Sequence, residues 1–334
     1  MSTPQFDSLL KAVSRSFYLS IRILPSAMQK PVAIAYMLAR ATDAVTDTTK
    51  IDQKTQLRLL ENIRQLMIDH SESQLNELQT IATNIDHPGE SVLLHELPAI
   101  FQEFNQLAVA DKYSIQKVVN TLTSGMEMDL NYFTGNTSIS ALSDDDALDN
   151  YTYLVAGCVG KFWTELSIRH VRSVHHWQLE EMTELGIQFG KALQLTNILR
   201  DISKDFRLGR CYLPATDLET AGASPQSLAN KNNIKDIKPV INKWLQQADQ
   251  HFVAAETYLL SIPWYCVRLR LAALWPILIG LKTLQLIKKS DNLIDPTVTV
   301  KVNRRWVYKI LALSIPVVLI NPLLRMLINQ TRKK

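Results

Sequence analysis

Gly186-Ile-Gln-Phe-Gly190-Lys-Ala-Leu-Gln194-Leu-Thr-Asn197-Ile-Leu-Arg200-Asp201-Ile-Ser-Lys-Asp205 sets small, amide and carboxylate residues at intervals of four, four, three, four and four. At about 3.6 residues per turn, Gly186, Gly190, Gln194, Asn197, Asp201 and Asp205 share one face of one helix. Ile187, Leu195, Ile198, Leu199 and Ile202 lie mostly on its other sides. A surface helix carries Lys and Glu on its polar stripe, so glycine, amides and paired carboxylates predict a helix lining a polar cavity. Asp201 and Asp205 project one turn apart and repel each other unless a cation sits between them. Oxygen ligands of this kind suit Mg²⁺, whose shell is completed by water and substrate phosphate. The plain alternative is a solvated acidic turn balanced by Arg200, Lys204 and Arg207.

A second copy of the pattern weighs against that alternative. In Tyr36-Met-Leu-Ala-Arg40-Ala-Thr-Asp43-Ala-Val-Thr-Asp47, polar groups recur at four, three and four within an apolar run from Pro31 to Val45. Two such helices facing each other would hold a diphosphate through bridging metals, with Arg40 and Arg200 making charge-assisted contacts to its oxygens. A third pair, Asp145 and Asp149, follows Ser143 at a helix start, where the helix dipole favours negative charge; it reads as a capped first turn rather than a site.

The chain has 334 residues, 46% of them hydrophobic, enough for a sizeable core. Ten glycines, no hairpin signal and long 3.6-period stretches predict an all-α protein. A net charge of +4 is too mild to imply nucleic-acid binding. Cys158, Cys211 and Cys266 are scattered without metal-binding spacing and fit a reducing compartment. No export pattern opens the chain, so the expectation is a cytoplasmic protein.

Helices are expected over 5–20, from Ser26 as N-cap to Asp47, and over 53–69, 91–106, 111–133, 178–206, 240–260 and 264–289, the last kinked by Pro276. Asp86–Gly89, 134–143 and 220–239 read as loops, and Gly209–Pro214 as a basic lid leaving the central helix. Residues 1–309 read as one domain. The rest, uncharged from Ile310 to Leu324 and then basic, reads as a tail: core up to about Pro316, beyond it an interfacial segment meeting anionic headgroups. Peripheral membrane association follows as an expectation.

An all-α shell with two aspartate pairs suits ionisation of an allylic diphosphate. Mg²⁺ would neutralise the leaving group, and an apolar pocket would keep water from the allylic cation. Tyr151, Tyr153, Phe162 and Phe17 are candidates for aromatic faces beside that charge.

Ser14-Arg-Ser16-Phe17, Tyr36-xxx-Arg40-xx-Asp43-xxx-Asp47, Tyr151-Thr-Tyr-Leu-Val-Ala-Gly157-xx-Gly160 and Gln194-xx-Asn197-Ile-Leu-Arg200-Asp201-xxx-Asp205 together resemble the squalene and phytoene synthases, head-to-head prenyl transferases. The resemblance runs from about residue 8 to residue 310, with the four motifs in the family's order. It implies an isoprenoid synthase-type helical bundle around a central diphosphate- and Mg²⁺-binding cavity, three Mg²⁺ ions and two prenyl diphosphates, farnesyl diphosphate favoured. By carry-over, Asp43, Asp47, Asp201 and Asp205 hold metals with help from Asn197. Ser14, Ser16, Phe17, Arg40, Gln194 and Arg200 flank diphosphate or prenyl groups. Tyr151 assists proton transfer or steadies the cation, Tyr36 sits beside it, and Arg210 and Tyr212 close over the site.

Val300-Lys301-Val302-Asn303-Arg304 resembles the basic stretch that binds the phosphates of NADPH in squalene synthases, and Arg270 to Leu284 also looks like that branch. The implied activity is squalene synthesis through presqualene diphosphate, with Lys301 and Arg304 as cofactor contacts. A dehydrosqualene or phytoene synthase without reduction, or a presqualene diphosphate synthase, is the alternative. A non-catalytic relative serving as an assembly factor has no need of both aspartate pairs.

Overall fold

Scarce glycine and sustained 3.6-residue periodicity leave the chain one way to satisfy its backbone, and it folds as helices. The computed structural model describes residues 4–69, 71–133 and 139–333, the side chains of residues 4–5, 15–17, 229 and 231 lying outside that description. Among the described residues there are fifteen α-helices and one parallel pair of two-residue strands. Two compact units result, Met1–Leu130 with Phe162–His175, and Asn131–Lys161 with His176–Lys334.

The first unit contains α1 (Pro4–Ile23), α2 (Ser26–Asp47), α3 (Gln53–Leu66), α4 (Glu72–Thr80), α5 (Pro88–His95), α6 (Leu97–Asn105) and most of α7 (Val109–Tyr132). Met28, Ile34, Met37 and Leu38 of α2 pack in its core with Leu59, Leu60 and Ile63 of α3 and Phe101 and Phe104 of α6, all at most 1% exposed. The end of α2 is fixed from outside the helix. Buried Gln56 on α3 donates to the carbonyls of Val45, Thr46 and Thr48 at 3.0–3.2 Å, taking up acceptors that a helix C-terminus leaves unpaired. The turn carrying Asp43 and Asp47 is thereby held in shape.

The second unit contains α8 (Asp145–Thr152), a π-helical turn at Tyr153–Gly157, the start of α9 (Cys158–His170), α10 (Leu179–Arg207), α11 (Ala215–Thr220), α12 (Ile234–Ser261), α13 (Val267–Lys288), α14 (Arg304–Val317) and α15 (Asn321–Lys333). Central α10 bears the stripe of glycines and carboxylates. Its glycine end meets main chain: a Cβ on Gly160 would lie 1.8 Å from the Gly186 carbonyl oxygen, and one on Gly190 2.2 Å from that of Ala156. Gly186 and Gly190 therefore seat the π turn against α10 rather than line a cavity, which corrects the first half of the stripe's expected role. β1 (Ser140–Ala141) pairs with β2 (Arg210–Cys211) and ties the exit of α10 to the approach of α8.

Several boundaries differ from the sequence expectation. Pro25, not Ser26, sits at the N-cap of α2, and Asp144, not Ser143, caps α8 by accepting from the Ala147 amide at 2.9 Å. The expected 91–106 helix divides at Glu96 because Pro98 opens a new first turn, and Pro88 and Gly89 begin α5 instead of forming a loop. Helix α12 starts at Ile234, with Pro239 tolerated near its beginning, so the expected loop is shorter. Pro276 and Pro316 lie within α13 and α14, and the apolar-then-basic end folds as two helices with buried inner faces. Helix α13 is long and apolar enough to cross a membrane by composition, yet 67% of that window is buried within the protein. It is a core helix.

Gly160→Ala forces a methyl group onto main chain that cannot move as a side chain would. An overpacked core typically loses about 1–3 kcal/mol, and this position belongs at the upper end. Thermal unfolding followed by circular dichroism should show a melting point several degrees lower, while Gly222→Ala, with open space around its Cβ, tests the milder cost of a positive φ of 73°.

Candidate active site

In the first unit, the acidic turn of α2 is built around Arg40. Its Nη1 donates to Asp43 Oδ2 at 3.0 Å and its Nη2 to Glu90 Oε1. Glu90, 6% exposed at the start of α5, went unnoticed in the sequence; a first-turn acid is ordinary, and nothing local names a partner fifty residues away. Burial by itself would lower the Arg40 guanidinium, but Asp43 and Glu90 outweigh it and raise it. The Asp43 side chain keeps 38% of its surface, yet desolvation pushes its carboxyl up to about 7; Arg40 pulls it down and the like charge of Asp47 adds to the rise. Asp47 closes α2 and is exposed. Tyr36 donates to the Val13 carbonyl at 3.2 Å, which ties α2 to α1. Ser14 is 3% exposed and its hydroxyl donates to the Leu10 carbonyl of its own helix. The side chains of Ser16 and Phe17 lie outside the described residues.

In the second unit, the polar end of α10 presents Gln194, Asn197, Arg200, Asp201 and Asp205. Asn197 donates to Gln194 Oε1 at 3.5 Å. Arg200 grips its sequence neighbour, Nε to Asp201 Oδ1 at 2.9 Å and Nη2 to Oδ2 at 2.5 Å, and this bond raises the guanidinium above its ordinary value. Both aspartate pairs thus carry an arginine, but by different routes: across a helix turn and to a second helix in one, within adjacent residues in the other.

Tyr151, expected near the departing diphosphate, is 5% exposed and stacks on Tyr212 with centroids 4.7 Å apart and planes at 23°; Phe133 meets Tyr212 edge-on at 5.2 Å. Tyr151 stands just before the π turn, a distortion often found at functional positions. Of the other aromatic candidates, Tyr153 belongs to the same unit and Phe162 to the first. In the segment expected as a lid, Cys211, Tyr212, Leu213 and Pro214 are buried and Arg210–Cys211 pairs with Ser140–Ala141. Burial pushes the Cys158 and Cys211 thiols up to about 12, which removes both as nucleophiles. Asp145 and Asp149 are each neutralised by a lysine, Lys243 at 2.6 Å and Lys191 at 2.7 Å, as suits a structural helix start. Lys301 and Arg304 are exposed, Arg304 being the first residue of α14.

Among the described residues, no three His, Cys, Asp or Glu side chains converge as a complete metal cage. Each unit instead supplies a pair of carboxylates. This donor set fits Mg²⁺, which takes few carboxylates and fills its shell with water and phosphate oxygen. The raised Asp43 carboxyl fits as well, since a divalent cation would restore its ionised form.

The chain matches the family described as squalene/phytoene synthase over residues 10–306. It is 26% identical over 269 residues to the bifunctional lycopene cyclase/phytoene synthase of Arthroderma gypseum, a match covering 78% of this chain and 42% of that protein. The chain thus spans about two-fifths of the length of that larger relative. It is 29% identical over 254 residues to the presqualene diphosphate synthase of Zymomonas mobilis, covering 75% and 72% of the two chains. A ligand complex of TcSQS shares the fold with a TM-score of 0.76 at 21% identity, over 98% of this chain and 89% of the other.

Asp43 carries a linkage signature. Its unfolded carboxyl titrates near 3.8 and the folded one at about 7, so folding favours the protonated form and that stabilisation is lost as pH rises through this window. Asn is neutral throughout. In metal-free buffer, the melting point of Asp43→Asn relative to the parent should therefore rise from about pH 4 to about pH 8. A difference that stays constant across the range would show that Asp43 titrates normally.

Proposed function

The chain belongs to the squalene/phytoene synthase family of prenyltransferases, and we propose that it joins two farnesyl diphosphates head to head through presqualene diphosphate and reduces the product to squalene with NADPH at a membrane surface. The observation that carries the transferase reading is the repeated half-site: an arginine beside a one-turn carboxylate pair at the end of α2 and again on α10.

Asp43, Asp47, Asp201 and Asp205, with Asn197, would hold Mg²⁺, which when bound supplies positive charge to the leaving diphosphate. Arg40 and Arg200 bind diphosphate oxygens by charge-assisted hydrogen bonds. Each would share its carboxylate partner to do so, and Glu90 would remain a partner for Arg40 if Asp43 held a metal. Tyr151, Tyr212 and Phe133 offer ring faces to developing positive charge and exclude water from it. The Tyr151 hydroxyl is the proposed group to hold or pass the proton lost on ring closure. Gln194, Ser14, Ser16, Phe17, Tyr36 and Arg210 complete the proposed substrate contacts.

NADPH would supply hydride for the second step, and Lys301 and Arg304 are the proposed contacts for its phosphates. A second reading has a specific basis. The Zymomonas relative is named for presqualene diphosphate and the Arthroderma relative for phytoene, so a product formed without reduction is the runner-up.

Three measurements bear on this. Asp201→Asn should cut diphosphate release from farnesyl diphosphate at least about a hundredfold with unchanged far-UV circular dichroism, since even outer-shell metal contacts are worth about 10–100-fold. Asp145→Asn, whose partner is Lys243, should remain near parental activity. Product analysis with and without NADPH decides the second step: squalene only with NADPH supports the full reaction, and one unreduced product in both conditions establishes the runner-up. Lys301→Ala with Arg304→Ala should raise the NADPH requirement and spare the first condensation.

A further inference from the structure

Arg40 is held by two carboxylates in unlike surroundings. The Asp43 side chain, a turn along the same helix, keeps 38% of its surface, whereas that of Glu90 keeps 9%. Between them the guanidinium donates from Nη1 to Asp43 Oδ2 at 3.0 Å and from Nη2 to Glu90 Oε1, and the Arg40 side chain is 30% exposed. One prong of the planar fork is thus anchored on a buried acid, while the other stands at the acidic turn, which solvent reaches.

Glu90 owes its place to main-chain contacts. It lies in the first turn of α5, its amide donating to the His87 carbonyl at 3.0 Å. The residue before it is Gly89, where a Cβ would lie 3.1 Å from the Ala12 carbonyl oxygen of α1. The next carbonyl of α1, that of Val13, accepts the Tyr36 hydroxyl of α2 at 3.2 Å. Adjacent carbonyls of α1 therefore touch both α5 and α2. Glu90 follows the first of these contacts by one residue and Arg40 follows the second by one helical turn, so their side chains meet. Behind Glu90, Ser91 donates to the Ala82 carbonyl at 2.8 Å, and Leu93 and Leu94 are 0% exposed. Helix α5 has little room to carry the carboxylate away.

A buried carboxylate paired with arginine adds little stability over an apolar pair of the same shape, because both ions lose hydration. What it adds here is direction. Arginine is long and flexible, and freedom given up at folding is not given up again when an anion arrives. Asp43 cannot supply that direction alone, since it is one of the carboxylates proposed to hold a metal. Glu90 is not among them.

We infer that Glu90 is a positioning residue that acts through Arg40, holding the guanidinium at the acidic turn of α2 so that it meets the diphosphate of the substrate already oriented. This deepens the proposed function and rests on that reading for the ligand, but not for the contact itself.

The test uses the full chain, with inorganic pyrophosphate and Mg²⁺ as the probe, and compares the parent, Glu90→Met, Arg40→Gln and the double variant. By calorimetry, Glu90→Met should bind pyrophosphate about 10–100-fold more weakly than the parent, the loss expected when a partner that orients a site residue is removed. On the Arg40→Gln background the same substitution should change affinity less than about twofold, because no guanidinium remains to be oriented. A role confined to seating α5 would weaken binding on both backgrounds. Melting points report on the contact without ligand: Arg40→Gln should lower that of the parent by more than that of Glu90→Met. Should Glu90→Met not fold, Glu90→Gln, which keeps an acceptor oxygen but no charge, replaces it in each comparison, with a weakening of at least about threefold. Parental pyrophosphate binding by the Glu90 variant, equal weakening on both backgrounds, or additive melting-point changes overturns the inference. Diphosphate release from farnesyl diphosphate separates the two readings. Release by a parent whose pyrophosphate binding ignores Glu90 refutes the positioning role alone. Binding that depends on Glu90 through Arg40, without release, upholds that role and refutes the transferase reading, and a parent that neither binds nor releases refutes both.

Discussion

Main chain touches main chain where α10 meets the π turn, and much of the second unit depends on that contact. With glycine at Gly160 and Gly190, the carbonyls of Gly186 and Ala156 occupy the space a side chain would need. The approach brings the Tyr153–Gly157 turn onto the glycine half of α10, and Tyr151 immediately precedes that turn. Further along α10, after the glycines end, larger polar groups appear, and they include the carboxylate pair. One helix face therefore does two jobs in sequence, the first by absence of side chains and the second by presence of charge.

Like charges one turn apart are costly, and the two aspartate pairs meet that cost differently. Arg40 spans from Asp43 to a buried glutamate on another helix, a fixed arrangement with little spare motion. Arg200 folds back onto the residue beside it, an arrangement that a change of rotamer undoes. The first arginine bridges two helices and the second stays within its own.

The helical class, most long helices and both acidic pairs were legible because each depends on spacing within one segment. What could not be read depends on partners distant in sequence. Glu90 is the partner of Arg40, and Gln56 closes the end of α2, but neither residue looks unusual among its neighbours. The stripe on α10 was read as a single surface because periodicity reports which residues share a face, not what that face meets. Pro98 was overlooked as a helix start, so one predicted helix became two. The β1–β2 pair is two residues long on each side, too short for any alternation to mark it. It ties down the start of the segment expected as a lid. For the chain's end, charge and hydropathy marked apolar and basic residues that are exposed, but could not show that the same helices also have a buried inner face.

Arg270 gives that inner face a further meaning. It is 0% exposed, its Nε and Nη1 have no hydrogen-bond partner among the described residues, and burial lowers its pKa. Its one charge-relieving hydrogen bond goes to the Asn321 side chain, at the first residue of α15. A buried cation so poorly solvated makes its single acceptor hard to replace. Replacing Asn321 would therefore leave the buried guanidinium without an acceptor, whereas the exposed residues around it make no such demand. The two last helices are thus pinned at one position by a residue buried in the core.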